Sequence, residues 1–386
     1  MGFLSGRVSY TRFRVSGDSP LPFGEDLLEL ASQHAIGRHG GPDATDGVSV
    51  GWAGGDHVLD LEFDLAKNIL NDALHLAIRV DTDKIPGSLL KAYTKMETDA
   101  RARGNPSGFP TKAQRAEAKE AARIRAEAES ADGRFRRLAH YPILWDGRDN
   151  VLYAGATSEK VLERLRTLFR ETFNREIEPI TSGRLAQSLA EARGQAGAVE
   201  QVGPVGFVSD DATYTSVAWA NEDQPSPDFL GNEFLIWLWH SLQNDGDTLS
   251  LPDGTEATVM LAKTLTLDCP RGETGRDCLT DEGPTRMPEA FRALQAGKLP
   301  RKTGLIIVRH GQQYELTLQA ETLAVSGANL PKLEGGSAHE IQWARVDSLR
   351  HLVETLDLLY DSYGRRRTGP EWNTELGRIR RWLQAA

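Results

Sequence analysis

Three carboxylates at alternate positions are the first residues of this chain whose spacing could support chemistry. Asp60, Glu62 and Asp64 occur in and just after Val58 to Phe63, a segment whose apolar residues predict a β-strand. Because alternate side chains of a strand point to the same face, the three carboxylates would lie together. Such a face could bind a divalent metal ion in a nuclease. The alternative is a strand face that is simply turned to solvent.

A second candidate is the sequence LIIVRHG, from Leu305 to Gly311. It resembles the first motif of the histidine phosphatases, in which a strand brings an arginine and a nucleophilic histidine to a phosphate group. In that chemistry Arg309 would hold the phosphate oxygens and His310 would attack phosphorus. The next residues, GQQYELTLQ, alternate like a strand, and too few residues follow Gly311 for that fold. The context therefore favours a hairpin turn at Arg309 to Gln312.

The segment from Pro86 to Arg137 could bind a polyanion. It contains twelve Lys and Arg residues against seven Asp and Glu residues, a local charge of +5 in a chain whose net charge is −10. Charge asymmetry of this kind is typical of a polyanion-binding surface on an otherwise acidic protein. The alternative is a pair of helices whose charged side chains are only solvated.

Two helices are predicted within this basic segment, Ser88 to Arg103 and Thr111 to Ser130, and the sequence GNPSGFP between them predicts a turn. At 100° per residue, four cations of the second helix fall within an arc of about 80° and form what we name the basic stripe. The basic stripe consists of Lys112, Arg115, Lys119 and Arg123. Most other residues of this helix are alanines or charged, and Ile124 is its only large aliphatic residue. Because such a helix can bury little in a core, we expect a projecting helical hairpin.

An aromatic residue among arginines follows this hairpin. Arg134, Phe135, Arg136 and Arg137 come directly after Gly133. Nucleic-acid surfaces use this combination, because aromatic rings stack on or wedge between bases while arginines bind phosphates. The alternative is that Phe135 packs against the end of the hairpin, and the residues alone leave both possibilities open.

Length and composition predict a globular protein of two or three domains, since 386 residues with 39% hydrophobic residues can bury more than one core. Cys269 and Cys278 are the only cysteines, which excludes a disulfide framework and a four-cysteine zinc site. The first residues, MGFLSGRVSYTRF, lack the apolar region of a signal peptide. No segment approaches the roughly 20 apolar residues of a membrane helix. We expect a cytoplasmic protein that does not enter a membrane.

The remaining sequence predicts an α+β fold with mixed antiparallel sheets, packed helices, the projecting hairpin and a second α+β region in the C-terminal half. The clearest helix is Ser158 to Asn174, whose apolar residues follow 3.6-residue spacing. Other predicted elements are a helix at Gly24 to Ala35, hairpins at Tyr141 to Ala154, Thr248 to Leu267 and Thr303 to Ala324, strands at Val205 to Val208 and Thr213 to Trp219, a strand followed by a helix at Ile341 to Tyr360, and helices at Phe229 to His240, Met287 to Gly297 and Trp372 to Leu383.

Three structural regions follow from these elements. Residues 1–85 and 138–200 would form a central domain, residues 86–137 a finger, and residues 201–386 a C-terminal base domain. The Ala-, Gly- and Gln-rich segment Gly183 to Gln201 would mark the boundary to the base domain. The C-terminal region also carries a second basic cluster, made of Arg365, Arg366, Arg367, Arg378, Arg380 and Arg381.

This order of elements resembles the recombination-associated protein RdgC family. The resemblance rests on the basic double helix, on the sequence GRFRRLAHYPILWD that follows it, and on a hairpin entering ATSEKVLERLRTLF. A downstream FLIWLW segment adds to it. The resemblance is continuous from Gly133 to Asn174 and looser on both sides.

The resemblance implies a homodimer closed into a ring that encircles double-stranded DNA without sequence preference and limits the access of the RecA recombinase to DNA. Single-stranded DNA is a further candidate partner. The resemblance also implies a nucleoid-associated protein without enzymatic activity or cofactor. It implies that Phe135 is the exposed aromatic residue of the finger. Arg276, in the sequence RDCL, matches a basic residue near the far dimer contact, but its neighbour Asp277 is an acid where the family has a polar residue.

Overall fold

The computed structural model describes residues 2–38, 47–208, 226–270, 275–332 and 335–385. These residues form eleven α-helices and thirteen β-strands, and the strands pair antiparallel. The predicted α+β fold class is confirmed. Among the described helices, none combines the length and apolar character needed to cross a membrane.

The chain divides into two compact units. Unit 1 consists of Met1–Phe23, Ala66–His75 and Pro142–Ala386, and unit 2 consists of Gly24–Leu65 and Leu76–Tyr141. This division differs from the predicted one, because the basic segment shares unit 2 with earlier strands and helices, and the C-terminal region shares unit 1 with the N-terminal strand.

The strands are β1 Val8–Val15, β2 Val48–Ala53, β3 Ile69–Leu70, β4 Ala73–Asp83, β5 Arg136–Asp146, β6 Val151–Ala154, β7 Ile177–Pro179, β8 Thr248–Ser250, β9 Glu256–Asp268, β10 Asp277–Asp281, β11 Leu299–Arg309, β12 Gln312–Gln319 and β13 Val325–Asn329. The helices are α1 Glu25–Gln33, α2 Leu65–Asn68, α3 Gly87–Ala102, α4 Lys112–Ser130, α5 Glu159–Phe173, α6 Ser182–Ala192, α7 Ala196–Glu200, α8 Phe229–Asn244, α9 Pro288–Gln295, α10 Ala338–Arg367 and α11 Trp372–Ala385, with a 3-10 helix at Pro284–Arg286.

Unit 1 is built on an antiparallel sheet in the strand order β10-β9-β11-β12-β13-β1-β6. β11 and β12 form its most regular hairpin, from Lys302 opposite Gln319 to Arg309 opposite Gln312. Alternate residues of β12 are buried, as period-two patterning requires when one sheet face is covered. Helices α6, α8, α10 and α11 contribute to the same hydrophobic core as this sheet.

Helix α8 lies deep in unit 1, and residues Leu230 to Ser241 are all buried. Gly231 packs so closely against the carbonyl group of Ala320 that a Cβ atom there would clash with it. The helix also carries a buried charge, because Glu233 accepts hydrogen bonds from Arg367 at 2.7 Å and from the Tyr363 hydroxyl at 3.0 Å. A buried carboxylate requires such partners, since an unpaired charge in a core is strongly destabilising.

Unit 2 contains α1, β2, most of β4, the helices α3 and α4, and the first residues of β5. β2 pairs with β4 from Val48 opposite Thr82 to Ala53 opposite Ala77. Leu28 and Ala31 of α1 are buried, as its amphipathic pattern predicts.

Most predicted elements lie within a few residues of the observed ones, including α1, both helices of the basic segment, α5, α8, α9, α11 and the three hairpins. Two predicted strands in the C-terminal half are wrong, one at the start of Ile341 to Tyr360 and one at Val205 to Val208. Ile341 to Tyr360 does not begin as a strand, because α10 starts at Ala338, where Ser337 and Glu340 form a capping box. Gly183 to Gln201, expected to mark the boundary to the base domain, lies mostly in α6 and α7.

Two strands are predicted after Gln201, and the structure describes only the first of these segments. Val205 to Val208 is not a strand in the structure. Thr213 to Trp219 lies outside the described residues.

Candidate nucleic-acid interface

Helices α3 and α4 pack against one another and form the hairpin that carries the basic stripe. The α4 helix begins at a capping box, in which the Thr111 hydroxyl accepts from the Gln114 N–H and the Gln114 side chain accepts from the Thr111 N–H. Its buried residues are only alanines, Ala118, Ala122 and Ala126, one per turn. Small side chains at this spacing let two helices approach closely and leave the larger side chains of α4 outside. Both predicted helices of the basic segment are confirmed.

The four cations of the basic stripe are exposed, but their charges are not equally available. Lys112, Arg115 and Lys119 make no ion pair with any described residue. Arg123, in contrast, lies 2.7 Å from Glu120 and 2.9 Å from Glu127. Hydrogen bonding to Arg123 lowers the pKa of the Glu120 carboxyl, so both groups are held charged and matched. We name Lys112, Arg115 and Lys119 the open cations.

All twelve cations of the basic segment divide into those with a carboxylate partner and those without one. Five arginines have carboxylate partners within 4 Å, namely Arg101, Arg123, Arg125, Arg134 and Arg136. Seven cations have none among the described residues, namely Lys91, Lys95, Arg103, Lys112, Arg115, Lys119 and Arg137. A charge without a partner can bind a phosphate without first breaking an ion pair.

Phe135 lies at the end of the hairpin, between α4 and the start of β5, and it is half-buried. Its neighbour Arg134 lies 3.2 Å from Asp132, and Arg136 lies 3.3 Å from Asp83. Only Arg137 of the three arginines is both exposed and without an ion pair among the described residues. Two of the three arginines beside Phe135 are therefore already engaged in local ion pairs.

Phe109, in the loop between α3 and α4, is the aromatic that sequence reasoning missed. Its side chain is 73% exposed. Its backbone is nevertheless held, because Asn105 donates to the Phe109 carbonyl at 2.7 Å and to the Gln114 side chain at 2.6 Å. The loop sequence GNPSGFP predicts a turn, and the only signal for a functional role was an aromatic within it, three residues before Lys112.

Arg276 lies in unit 1, whereas the basic stripe lies in unit 2. It precedes β10, and its guanidinium group contacts the Asp268 carboxylate at 2.9 Å. The charge of Arg276 is therefore matched by a carboxylate, and several arginines of the C-terminal cluster are also engaged by local partners. In that cluster Arg365 pairs with Asp361, Arg367 is buried against Glu233, and Arg380 donates to the Gly206 carbonyl.

The carboxylate trio does not form the predicted strand face. Residues 58–63 are an irregular loop, so the strand prediction is wrong. Asp60 is buried, and its carboxylate accepts from the N–H groups of Asp56 at 3.2 Å and Glu62 at 3.0 Å. Bonds of this kind compete with a strand ladder. Throughout the described ranges, no three His, Cys, Asp or Glu side chains are grouped so that they could hold a metal ion.

Arg309 and His310 do form the predicted hairpin turn. β11 ends at Arg309 and β12 begins at Gln312, with His310 at φ 49° and Gly311 at φ 74°. Two left-handed residues in succession are typical of a tight two-residue hairpin. Arg309 is only 3% exposed and lies 2.6 Å from Asp253 and 2.8 Å from Glu354. A buried, doubly paired arginine is poorly placed to receive a phosphate group.

No protein-family model and no curated protein matches this chain.

Proposed function

We propose that this protein binds double-stranded DNA without sequence preference through the α3–α4 hairpin, and that it acts in recombination or replication without enzymatic activity. The observation that carries the proposal is the row of open cations on α4, exposed and free of ion pairs among the described residues. Exposed lysines and arginines bind phosphates by charge, which gives affinity but carries no information about base sequence.

The spacing of the open cations suits a DNA backbone. At 1.5 Å per residue, Lys112 and Lys119 are about 10 Å apart along the helix axis, with Arg115 between them. One strand of B-DNA presents a phosphate every 3.4 Å along the duplex axis, so three cations over this distance can contact phosphates of one strand. Lys91, Lys95 and Arg103 add unmatched charge on α3 and at its end.

Phe109 supplies the aromatic component of the proposed interface. A phenyl ring held on an ordered loop beside exposed cations can stack on a base or wedge into a groove. Its position in the turn, three residues before Lys112, keeps it next to the open cations in the chain. Phe135 and Arg137 form a secondary contact at the other end of α4.

The resemblance to the RdgC family extends the proposal to the assembly. On this view two copies form a ring around the duplex, with Arg276 near a dimer contact, and the bound ring restricts RecA. Light scattering of the purified protein tests the first step, because the proposal requires twice the mass of one chain.

The direct test compares two triple variants in binding to a fluorescent duplex of arbitrary sequence at low salt. Lys112→Gln, Arg115→Gln and Lys119→Gln together remove the open cations. Lys160→Gln, Lys302→Gln and Arg381→Gln remove the same three charges from exposed positions that make no ion pair with described residues. We expect the first variant to bind about tenfold more weakly or worse. Equal affinity of the two variants would place the DNA site elsewhere.

The same samples test the absence of enzymatic activity. After incubation with Mg²⁺, the duplex should be recovered intact from wild-type protein. Strand cleavage that disappears in an Asp60→Asn variant would instead support the nuclease alternative.

A further inference from the structure

Two histidine side chains from separate elements of unit 1 meet at the β11–β12 turn. His310 is exposed at the turn, and His351 is half-buried on α10. The Nδ1 atom of His310 lies 3.4 Å from the Nε2 atom of His351. Their rings are tilted by 44° with centroids 5.6 Å apart, so the two nitrogens approach each other at their edges and the rings are not stacked.

The hydrogen bonds of Tyr314 fix the proton on His351. The Tyr314 hydroxyl lies 2.5 Å from the Gln312 side-chain oxygen and 3.2 Å from the Ser348 carbonyl, and both of these atoms are acceptors. Since the hydroxyl has a single proton to donate, it accepts from Nδ1 of His351, which lies 2.8 Å away. The neutral ring therefore carries its proton on Nδ1 and presents an unprotonated Nε2 to His310.

We propose that His310 and His351 form an open site for a divalent transition-metal ion that prefers imidazole ligands, such as Zn²⁺ or Cu²⁺. Two nitrogens bound to one tetrahedral zinc ion at about 2.0–2.1 Å are separated by roughly 3.3–3.4 Å. The observed nitrogen separation of 3.4 Å matches that spacing. Water would occupy the remaining coordination positions, because the site has two protein nitrogens.

The surroundings of the pair have the features of a metal site. A ligating histidine usually donates its other ring N–H to an oxygen, as His351 does to Tyr314. The charge of Arg309 is matched by Asp253 and Glu354, which lie 2.6 and 2.8 Å away, so it opposes a bound cation only weakly.

This site is separate from the proposed DNA interface and would have a different consequence. The ion would join the hairpin turn after β11 to the middle of α10, two parts of unit 1 that are 41 residues apart in sequence. Binding to the folded chain alone stabilises it, so an occupied site should raise the melting temperature. Mg²⁺ and Ca²⁺ should have no such effect, because they prefer oxygen ligands.

Calorimetry and thermal melting of tag-free protein with ZnCl₂, CuCl₂ or MgCl₂ test the proposal. We expect one Zn²⁺ or Cu²⁺ per chain, a rise in melting temperature with these ions, and no response to Mg²⁺. His310→Asn keeps a residue type that tolerates the left-handed turn, and His351→Gln can retain a bond to Tyr314. Each should weaken Zn²⁺ binding at least tenfold.

His339→Ala is the matched control, since His339 is an exposed histidine on the same helix that packs on Trp343. It should bind Zn²⁺ like the wild type. Folded wild-type protein that takes up no Zn²⁺, or binding that is unchanged in His310→Asn and His351→Gln, would overturn the proposal.

Discussion

At the residue scale, exposure distinguishes the two phenylalanines of the basic segment. Phe109 is 73% exposed on a loop whose backbone is held by Asn105, whereas Phe135 is half-buried beside matched arginines. Stacking of a base on an aromatic side chain contributes about 1–3 kcal/mol in single-stranded DNA, and a ring that wedges into a duplex must also offset the cost of unstacking. We therefore expect Phe109→Ala to weaken DNA binding about fivefold or more, and Phe135→Ala to weaken it less. Fluorescence anisotropy measures both, and the reverse order would make Phe135 the main aromatic contact.

The protonation of His351 should make the stability of the folded protein depend on pH. Burial and Arg309 lower its pKa, although Glu354 opposes the shift. The folded protein therefore keeps the ring neutral at a pH where the unfolded chain, with a pKa of about 6.5, already binds a proton. The free energy of unfolding should then fall as pH decreases through this value towards the lower folded-state pKa.

Thermal melting in metal-free buffer between about pH 7 and about pH 5 measures this effect. The melting temperature of His351→Gln should fall less steeply than that of the wild type. His339→Ala should follow the wild type. Parallel curves for wild type and His351→Gln would show that His351 does not contribute.

At the element scale, the capping box at Thr111 fixes where α4 begins, and with it the position of the open cations. Thr111→Ala removes the side-chain oxygen that accepts from the Gln114 N–H, which costs about 1 kcal/mol of local helix stability. Hydrogen exchange should accelerate at the first amides of α4 and remain unchanged in α8. Uniform acceleration in both helices would mean that the hairpin does not open by itself.

The buried ion pair between Glu233 and Arg367 joins α8 to α10 and gives a second prediction for these elements. Glu233 is 1% exposed and Arg367 is 7% exposed, so Glu233→Gln leaves a guanidinium group buried without its counter-charge. Loss of about 3–5 kcal/mol in the free energy of unfolding is expected. Glu159→Gln, at the exposed pair with Arg166, should cost less than about 1 kcal/mol. Denaturant unfolding of both variants measures the difference, and similar costs would show that Arg367 does not depend on Glu233 as its counter-charge.

The sequence predicts the elements well where one periodicity dominates, as in α5 and α4. It fails where local hydrogen bonds override the pattern. Residues 58–63 alternate like a strand, yet Asp60 folds the segment into a loop and Leu59 is left 64% exposed. The start of α10 could have been found, because Ser337 and Glu340 have the spacing of a capping box.

The candidate interface is only partly predictable from the sequence, because side-chain contacts and not backbone periodicity decide which of its residues are available. The basic stripe follows from helical spacing, and its four residues do share one exposed side of α4. Which cations are matched depends on individual side-chain conformations, so the pairing of Arg123 with Glu120 and Glu127 needed the structure. The exposure of Phe109 also needed it, because a turn sequence does not specify where a side chain points.

At the scale of the whole molecule, the protein is acidic, with a net charge of −10, yet the basic segment carries a local charge of +5 and seven cations that make no ion pair with described residues. Local field and not net charge governs the approach of a polyanion. Binding by such a surface releases counterions from DNA, so the logarithm of the association constant should fall linearly with the logarithm of salt concentration.

The slope of that line measures how many phosphates the open cations contact. Each phosphate contact contributes about 0.9 to its magnitude, so the Lys112→Gln, Arg115→Gln, Lys119→Gln variant should show a slope smaller by about 2 to 3 than the wild type. The Lys160→Gln, Lys302→Gln, Arg381→Gln variant should keep the wild-type slope. Wild-type binding that is indifferent to salt, or equal slopes for all three proteins, would contradict DNA binding by the α3–α4 hairpin.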